Sequence, residues 1–223
     1  MLKLRFGLCL LAAMVAAGSG VGLAQQKAVG SFEGSTDVGA VRAGTTAYDA
    51  ARGTYRVTGG GADMWGPADG LHLSWVRLAG DATMTAEVHF PADGVAAALE
   101  KGVLIFRQSL DPGSPYADVA IHGDGHITTQ YRETAGGKTA DTTSTVHGAA
   151  GGWTRLQIVR RGDVFTVSAA PLGPSVDPAM VASEPVTVVL RGPVYVGIGV
   201  CAHDAGGLAT VTFRRVKVQP ARE

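Results

Sequence analysis

Apolar and polar residues alternate with a period of two along most of the chain between residues 31 and 218. Turn-forming Gly, Pro and Asp residues interrupt this alternation at short intervals, which is typical of many short strands. The one helix candidate, Val95 to Glu100, is short and alanine-rich, and we predict a loop or a single turn there. Without crossover helices the strands must pair antiparallel, so the pattern predicts a single all-β sandwich or barrel. The predicted strands are Thr54–Thr58, Leu71–Trp75, Ala82–Phe90, 101–109, 116–122, 126–132, Trp153–Val159, Val164–Ala169, Val186–Leu190, Val194–Ala202 and Leu208–Val218.

Three successive strands, 101–109, 116–122 and 126–132, place hydrogen-bonding side chains on a shared face. Side chains alternate between the two faces of a strand, so apolar residues such as Leu104 and Val119 are predicted to pack into the core from the opposite face. A polar face of this kind indicates a polar ligand, although Arg107 and Asp118 are also explained by a structural salt bridge between neighbouring strands. The polar residues on the face are Arg107, Asp118, His122, Gln130 and Arg132.

The late strand contains glycines at alternate positions. Gly197 and Gly199 share a face with Cys201 and His203, while the intervening residues are apolar. Glycine weakens a strand, and its usual role there is to admit the close approach of another group. Two interpretations remain: a ligand lies across a concave sheet at this point, or the strand bends in a strongly curved sheet.

The first 24 residues have the pattern of a signal peptide. Lys3 and Arg5 precede an apolar run at 6–17, and small residues at 22 and 24 suit a cleavage site. A membrane anchor is the alternative, although the apolar run is short for a bilayer. We therefore predict export to the periplasm or the medium, a flexible leader at 25–30, one domain at 31–218 and a polar tail at 219–223.

Charge and cysteine content exclude several partners. The chain has 19 basic and 19 acidic residues, and removing Lys3 and Arg5 leaves 17 against 19, a net charge of −2. No block of basic residues stands out, so we expect binding neither to nucleic acid nor, after signal removal, to membranes. Cys9 leaves with the signal peptide, and Cys201 alone cannot form an internal disulfide.

Several segments resemble a bacterial family of secreted domains of unknown function. They are KGVLIFRQSLDPGSPYADVAIHGDG with QYRETAGG, GTTAYDAARGTYRVTGGGADMWGPADGLHLSW, WTRLQIVRRGDVFTV and VYVGIGVCAHD, which together cover most of residues 44–204. The resemblance implies a concanavalin A-like jelly roll of two curved antiparallel sheets, the lectin/glucanase fold, with glycan contact on the concave sheet. Residues 169–174 depart from the family pattern, so the resemblance implies little about that loop. Fold likeness alone does not establish an activity.

Catalytic patterns are weak in this sequence. Glycoside hydrolysis needs two carboxylates across the bond, and Asp118 is the one acid placed in mid-strand on the polar face. The Glu-x-Asp-x-x-Glu pattern of the superfamily's glucanases is absent. Cys201 and His203 share a face, but a buried thiol is ordinarily inert. We expect a non-catalytic module, and a glycoside hydrolase if the chain is an enzyme.

Metal binding is also only weakly indicated. His122 and His126 flank a Gly-Asp-Gly turn, yet zinc needs three or four ligands and the sequence shows no third. Calcium prefers the oxygen ligands that aspartates in glycine-rich loops supply, but no ligand spacing fixes a site. We therefore assign no cofactor and leave calcium open. The loop aspartates are Asp63, Asp69, Asp111 and Asp204.

The sequence favours an exported, non-catalytic module that binds carbohydrate or another polar polymer on its concave sheet. Trp65 lies in a loop and offers an aromatic face for a sugar ring, or caps the edge of the sandwich. Trp75 and Trp153 fall in apolar alternation and are predicted to be core. A glycoside hydrolase and an envelope module that docks a protein partner are the alternatives. The predicted ligand-binding residues are Trp65, Arg107, Asp118, His122, Gln130, Arg132 and His203.

Overall fold

A computed structural model describes residues 28–91, 97–149, 151–173 and 179–221. The predicted signal peptide and half of the leader, 25–27, lie outside these residues, as does part of the predicted turn before Glu100. No helix in the described part of the chain is long and apolar enough to span a membrane.

The described residues form strands and turns. Most predicted strands are present, and several continue further than the alternation indicated. In chain order the strands are β1 (Gly34–Val38), β2 (Thr45–Asp49), β3 (Thr54–Gly61), β4 (Leu71–Leu78), β5 (Ala82–His89), β6 (Lys101–Arg107), β7 (Tyr116–His122), β8 (Ile127–Arg132), β9 (Ala140–Thr143), β10 (Trp153–Arg161), β11 (Val164–Leu172), β12 (Val181–Ala182), β13 (Val186–Thr187), β14 (Val194–Cys201) and β15 (Asp204–Pro220).

Two antiparallel sheets make up the sandwich. The seven-stranded sheet has the order β1-β4-β14-β6-β7-β8-β9, and the eight-stranded sheet has the path β12-β11-β10-β5-β15-β3-β2 with β13 beside β11. Neighbours in the sheet are often distant in the chain, as where β14 inserts between β4 and β6. These features are those of a concanavalin A-like jelly roll, which confirms the predicted fold class.

The main hydrophobic core fills the space between the sheets. Leu104, Phe106 and Val119 from the seven-stranded sheet point into it, as strand alternation predicts. Across the interface the ring of Phe106 lies 5.6 Å from that of Phe165 in an edge-to-face arrangement. Each such side chain contributes about 1.5–3 kcal/mol when fully buried. This core holds both sheets in place and leaves their outer faces to interact with loops or solvent.

The glycines of β14 admit a neighbouring strand. A Cβ atom on Gly197 would collide with the carbonyl oxygen of Ser74 and lie 3.0 Å from the Cα of Trp75, both in β4. Close strand packing therefore explains this glycine without a ligand. Gly199 is also confined, because its Cβ would meet side chains of Leu71 and Val103.

The predictions for the two strand tryptophans have different outcomes. Trp75 is buried, in a second apolar cluster on the outer face of the seven-stranded sheet. Trp153 is only partly buried, because it lies on the outer face of the eight-stranded sheet beneath the guanidinium of Arg214. The prediction that Trp153 belongs to the core was wrong, since β10 directs its odd-numbered residues away from the core.

Candidate functional site

A loop covers much of the outer face of the seven-stranded sheet, where the polar residues were predicted. Residues 62–70 connect β3 in one sheet to β4 in the other and cross this face on the way. The side chain of Met64 is fully buried there, and its carbonyl accepts a 2.9 Å hydrogen bond from the Tyr116 hydroxyl. With their other face packed in the core, β6 and β7 have every residue buried.

Asp69 fixes the loop to the sheet through two arginines, and we call these three residues the Asp69 cluster. Arg132 donates to both carboxylate oxygens, at 2.6 Å and 2.9 Å, while Arg107 donates to one at 2.9 Å. All three side chains are 0% exposed. The remaining guanidinium hydrogens go mainly to loop carbonyls, including those of Gly66 and Asp111. Paired and hydrogen-bonded in this way, the buried charges hold the loop against the sheet.

This geometry corrects the expectation that Arg107 and Arg132 open onto solvent. Both side chains point to the predicted side of their strands, but the 62–70 loop covers them and takes up their donors. The alternative, a structural salt bridge between Arg107 and Asp118, is not formed either. Both arginines pair with Asp69 instead. Their role in this structure is to anchor the loop.

Asp118 is likewise fully buried. It lies opposite Gln130 on β8 and accepts a 3.3 Å hydrogen bond from the Gln130 backbone amide. Burial raises the pKa of its carboxyl well above the usual range, and the nearby Lys101 charge only partly opposes this. Burial therefore favours the neutral form of this carboxyl, which lies beneath the surface that a ligand would reach.

Beside the Asp69 cluster the same sheet face opens into a pocket of about 320 Å³, which we call the polar pocket. Strands β6, β7 and β8 supply its floor. The 62–70 loop, the turn before β6, the β7–β8 turn, β9 and the residues after β14 supply its walls. The lining residues are Asp63, Trp65, Leu99, Lys101, His122, His126, Thr128, Gln130, Asp141 and His203.

An ion pair at the pocket wall links the loop to the sheet. The buried ammonium of Lys101 donates to Asp63 at 2.6 Å, and His203 lies 3.4 Å from the other carboxylate oxygen. Burial would raise the pKa of Asp63, but the hydrogen bond and charge of Lys101 outweigh it and lower that pKa. The carboxylate is one-third exposed and so presents a fixed negative group to the pocket.

Trp65 lies at the rim of the polar pocket. Its side chain is 43% exposed, and its backbone carbonyl accepts a 3.1 Å hydrogen bond from the amide of Thr139. Leu99, 49% exposed, lines the same pocket. An aromatic ring and an aliphatic side chain beside polar groups suit a ligand with both C–H and hydroxyl surfaces.

Buried polar atoms without a protein partner gather at the pocket floor. Gln130 Oε1, His122 Nδ1 and Asp118 Oδ2 each lack a hydrogen-bond partner among the described residues. Two of these residues line the pocket and the third lies directly opposite Gln130. Burial lowers the pKa of His122 to about 4, helped by the positive charge of Lys101, so its ring is neutral at pH 7. Unpaired buried polar groups are costly, so each calls for a specific reason, such as a bound water or a functional role.

Three histidines lie side by side near the β7–β8 turn, where the sequence weakly indicated a metal site. His126 lies between His122 and His147, with ring centroids 5.6 Å and 5.9 Å away. No three His, Cys, Asp or Glu side chains in the described ranges converge to hold a metal ion.

Cys201 donates to the Gly61 carbonyl at 3.6 Å, and burial raises the pKa of its thiol to about 11. Such a thiol is a poor nucleophile.

Four of the seven predicted ligand-binding residues line the polar pocket, and their role in binding stays a prediction. They are Trp65, His122, Gln130 and His203. Lys101 and Thr128 also line the pocket and were not predicted as ligand-binding residues, although alternation places both on the polar face. Asp63 and Asp141 were not predicted to bind ligand either, because they lie in a loop and on the short strand β9, where no periodicity indicates a direction.

No protein-family model and no curated protein matches this chain. Solved structures do match it. A protein of unknown function from Saccharomyces cerevisiae has a TM-score of 0.61 and 17% identity over 85% of this chain and 97% of that one. The carbohydrate-binding module CBM66 from Bacillus subtilis has a TM-score of 0.55 and 14% identity, over 85% of this chain and 97% of that one. Arcelin-5, a lectin-like defence protein from Phaseolus vulgaris, has a TM-score of 0.54 and 11% identity, over 85% of this chain and 98% of that one. At these identities the likeness shows the fold: the chain is a lectin-like jelly roll.

Proposed function

We propose that this chain is an exported, non-catalytic module that binds carbohydrate in the polar pocket. The observation that carries the proposal is the exposed indole of Trp65 beside a pocket with unpaired polar atoms at its floor. The likeness to a carbohydrate-binding module and to a lectin-like protein supports it, as does the resemblance to a secreted bacterial family. Export to the periplasm or the medium rests on the N-terminal sequence alone.

Each part of the pocket has a task in this proposal. Trp65 packs against the C–H face of a sugar ring, while Gln130 and the Asp63 carboxylate bond to hydroxyl groups. The neutral ring of His122 supplies one further donor or acceptor. Asp118 and the Asp69 cluster lie beneath this surface and keep the strands and the 62–70 loop in position.

Replacing Trp65 tests the proposal. Binding of the chain to a panel of oligosaccharides and polysaccharides is measured by glycan array and calorimetry, and then repeated with Trp65→Ala. We expect affinity for the retained glycan to fall at least about tenfold, the effect of losing roughly 1.4 kcal/mol of contact. The melting temperature is expected to stay unchanged because the indole is partly exposed.

Tyr48→Ala is the matched control, since Tyr48 is a similarly exposed aromatic residue, at 40%, on the other sheet. It should leave glycan affinity unaltered. Equal loss in both variants, or no retained glycan at all, contradicts the proposal. Release of reducing ends from a bound polysaccharide would instead identify a glycoside hydrolase, and a stoichiometric protein partner with a silent panel would identify an interaction module.

A further inference from the structure

The outer face of the eight-stranded sheet carries a concentration of cationic side chains that the balanced total charge conceals. They come from three strands, β3, β15 and β10, and β5, which lies between β15 and β10, supplies a buried carboxylate, Glu87. The five cations named below exceed this one carboxylate by four charges. We call this surface the basic face; its cations are Arg56, Arg155, Arg214, Arg215 and Lys217.

Strand register arranges these groups in rows. Arg214 and Arg155 both lie directly opposite Glu87, one on each neighbouring strand, so strand spacing separates their backbones by about 10 Å. Arg215 has a φ of 51° at a bulge in β15. The bulge lets two consecutive arginines face the same side, since both donate to Glu87. Lys217 follows in the next row, opposite Thr85.

Glu87 orients the arginines without removing them from solvent. It accepts from Arg155 at 2.9 Å, Arg214 at 2.7 Å and Arg215 at 3.3 Å. Burial would raise the pKa of Glu87, but the hydrogen bonds from Arg155 and Arg214 outweigh it and lower that pKa. The Arg215 side chain remains 70% exposed. Within the described ranges, neither Arg56 nor Lys217 has a salt-bridge partner.

The remaining groups on this face favour one class of polyanion. The guanidinium of Arg214 lies 3.9 Å from the ring centroid of Trp153 and covers that face of the indole, which leaves it unavailable to stack a nucleic-acid base. Threonine hydroxyls surround the cations, and a shallow groove of about 150 Å³ runs between Thr85, Glu87 and Lys217. The cations can pair with anionic groups and the threonine hydroxyls can bond to hydroxyl groups, so the face suits a polymer that carries both kinds of group.

We propose that the basic face is a second binding surface, for an acidic polysaccharide that carries carboxylate or sulfate groups. It lies on the sheet opposite the polar pocket, so one chain can contact two polymers or two segments of one polymer. The proposal does not depend on what the polar pocket binds, because the two surfaces share no lining residue.

Removing exposed cations tests this proposal. Binding of the full chain to polygalacturonate and to dextran sulfate is measured by calorimetry at several NaCl concentrations, with uncharged dextran as the blank. The Arg215→Ala, Lys217→Ala double variant is expected to lose at least tenfold in affinity and to show a shallower salt dependence. Glu87 keeps Arg155 and Arg214 in that variant, so its melting temperature serves as the folding check.

A charge-matched control removes two cations elsewhere. Arg52→Ala with Arg191→Ala deletes two exposed arginines, 80% and 72% exposed, and should leave binding intact. Equal loss in both double variants, or binding to neither acidic polymer, overturns the proposal. Tighter binding to double-stranded DNA or to phosphatidylserine vesicles at the same salt also overturns it. Loss of polygalacturonate affinity in Trp65→Ala but not in the Arg215→Ala, Lys217→Ala variant would place that polymer in the polar pocket and overturn the proposal.

Discussion

Two carboxylates, one on each outer sheet face, hold groups of arginines in opposite surroundings. Asp69 and its two arginines are 0% exposed beneath the 62–70 loop. Glu87 is also buried, but two of its three arginines, Arg214 and Arg215, are 36% and 70% exposed. The pairing chemistry is the same, and access to solvent separates the two roles. A covered cluster fixes structure, whereas an open cluster keeps charge available to a partner.

The largest expected effect comes from breaking the covered cluster. Asp69→Asn leaves two buried guanidinium groups without their counter-charge, and we expect a loss of about 3–5 kcal/mol in the free energy of unfolding by urea. Asp163→Asn is the control, since its partner Arg191 is 72% exposed, and should cost about 1 kcal/mol or less. A similar small cost in Asp69→Asn would show that the cluster does not anchor the loop.

A second test uses pH to ask whether the floor of the polar pocket, beside the covered cluster, excludes water. The pKa of His122 is about 4 in the folded chain against an ordinary 6.5, so the unfolded chain binds more protons between these values. Stability from this group is complete above pH 6.5 and is lost as pH falls towards 4, by about 3 kcal/mol. The measurement is urea unfolding of the wild type and His122→Gln at pH 7 and pH 4.

The wild type must be compared with His122→Gln because Asp118 changes the stability of the fold with pH in the opposite direction. Its pKa is raised, so it destabilises the fold as pH rises above the ordinary aspartate range. The difference in free energy of unfolding between the wild type and His122→Gln is free of that contribution, since both proteins contain Asp118. An identical pH profile for wild type and variant would mean that the ring of His122 is hydrated in the folded chain.

The smallest effect is expected at the open cluster. Glu87→Gln keeps a hydrogen-bond acceptor, and its exposed arginines can turn to water, so the free energy of unfolding should fall by about 1 kcal/mol or less. Affinity for polygalacturonate should rise, because the basic face gains one net positive charge. A loss of stability equal to that of Asp69→Asn would erase the distinction between the clusters.

Strand alternation was enough to predict the fold and the faces of the central strands. It placed Leu104 and Val119 in the core, and it placed Arg107 and Gln130 on the other side. It could not show that a loop covers part of that face. Asp69 lies 38 and 63 positions from the arginines it binds, and such pairings have no local signature.

The basic face was hidden for a related reason. Arg155, Arg214 and Arg56 belong to strands far apart in the chain, and only sheet order brings them together. A balanced total of 19 basic and 19 acidic residues then suggested a weak field. Sequence totals report the sum of charges, whereas a polymer responds to their arrangement on one surface.

Carbohydrate is expected to bind in the polar pocket and not on the face covered by the loop. NMR chemical-shift mapping of an isotope-labelled chain with a glycan retained on the panel distinguishes these two surfaces. The Trp65 indole N–H and the Gln130 side-chain amide should shift first, with the Tyr116 and Val119 backbone amides unaffected. Saturable shifts confined to residues outside the pocket, with Trp65 and Gln130 unchanged, would contradict this expectation.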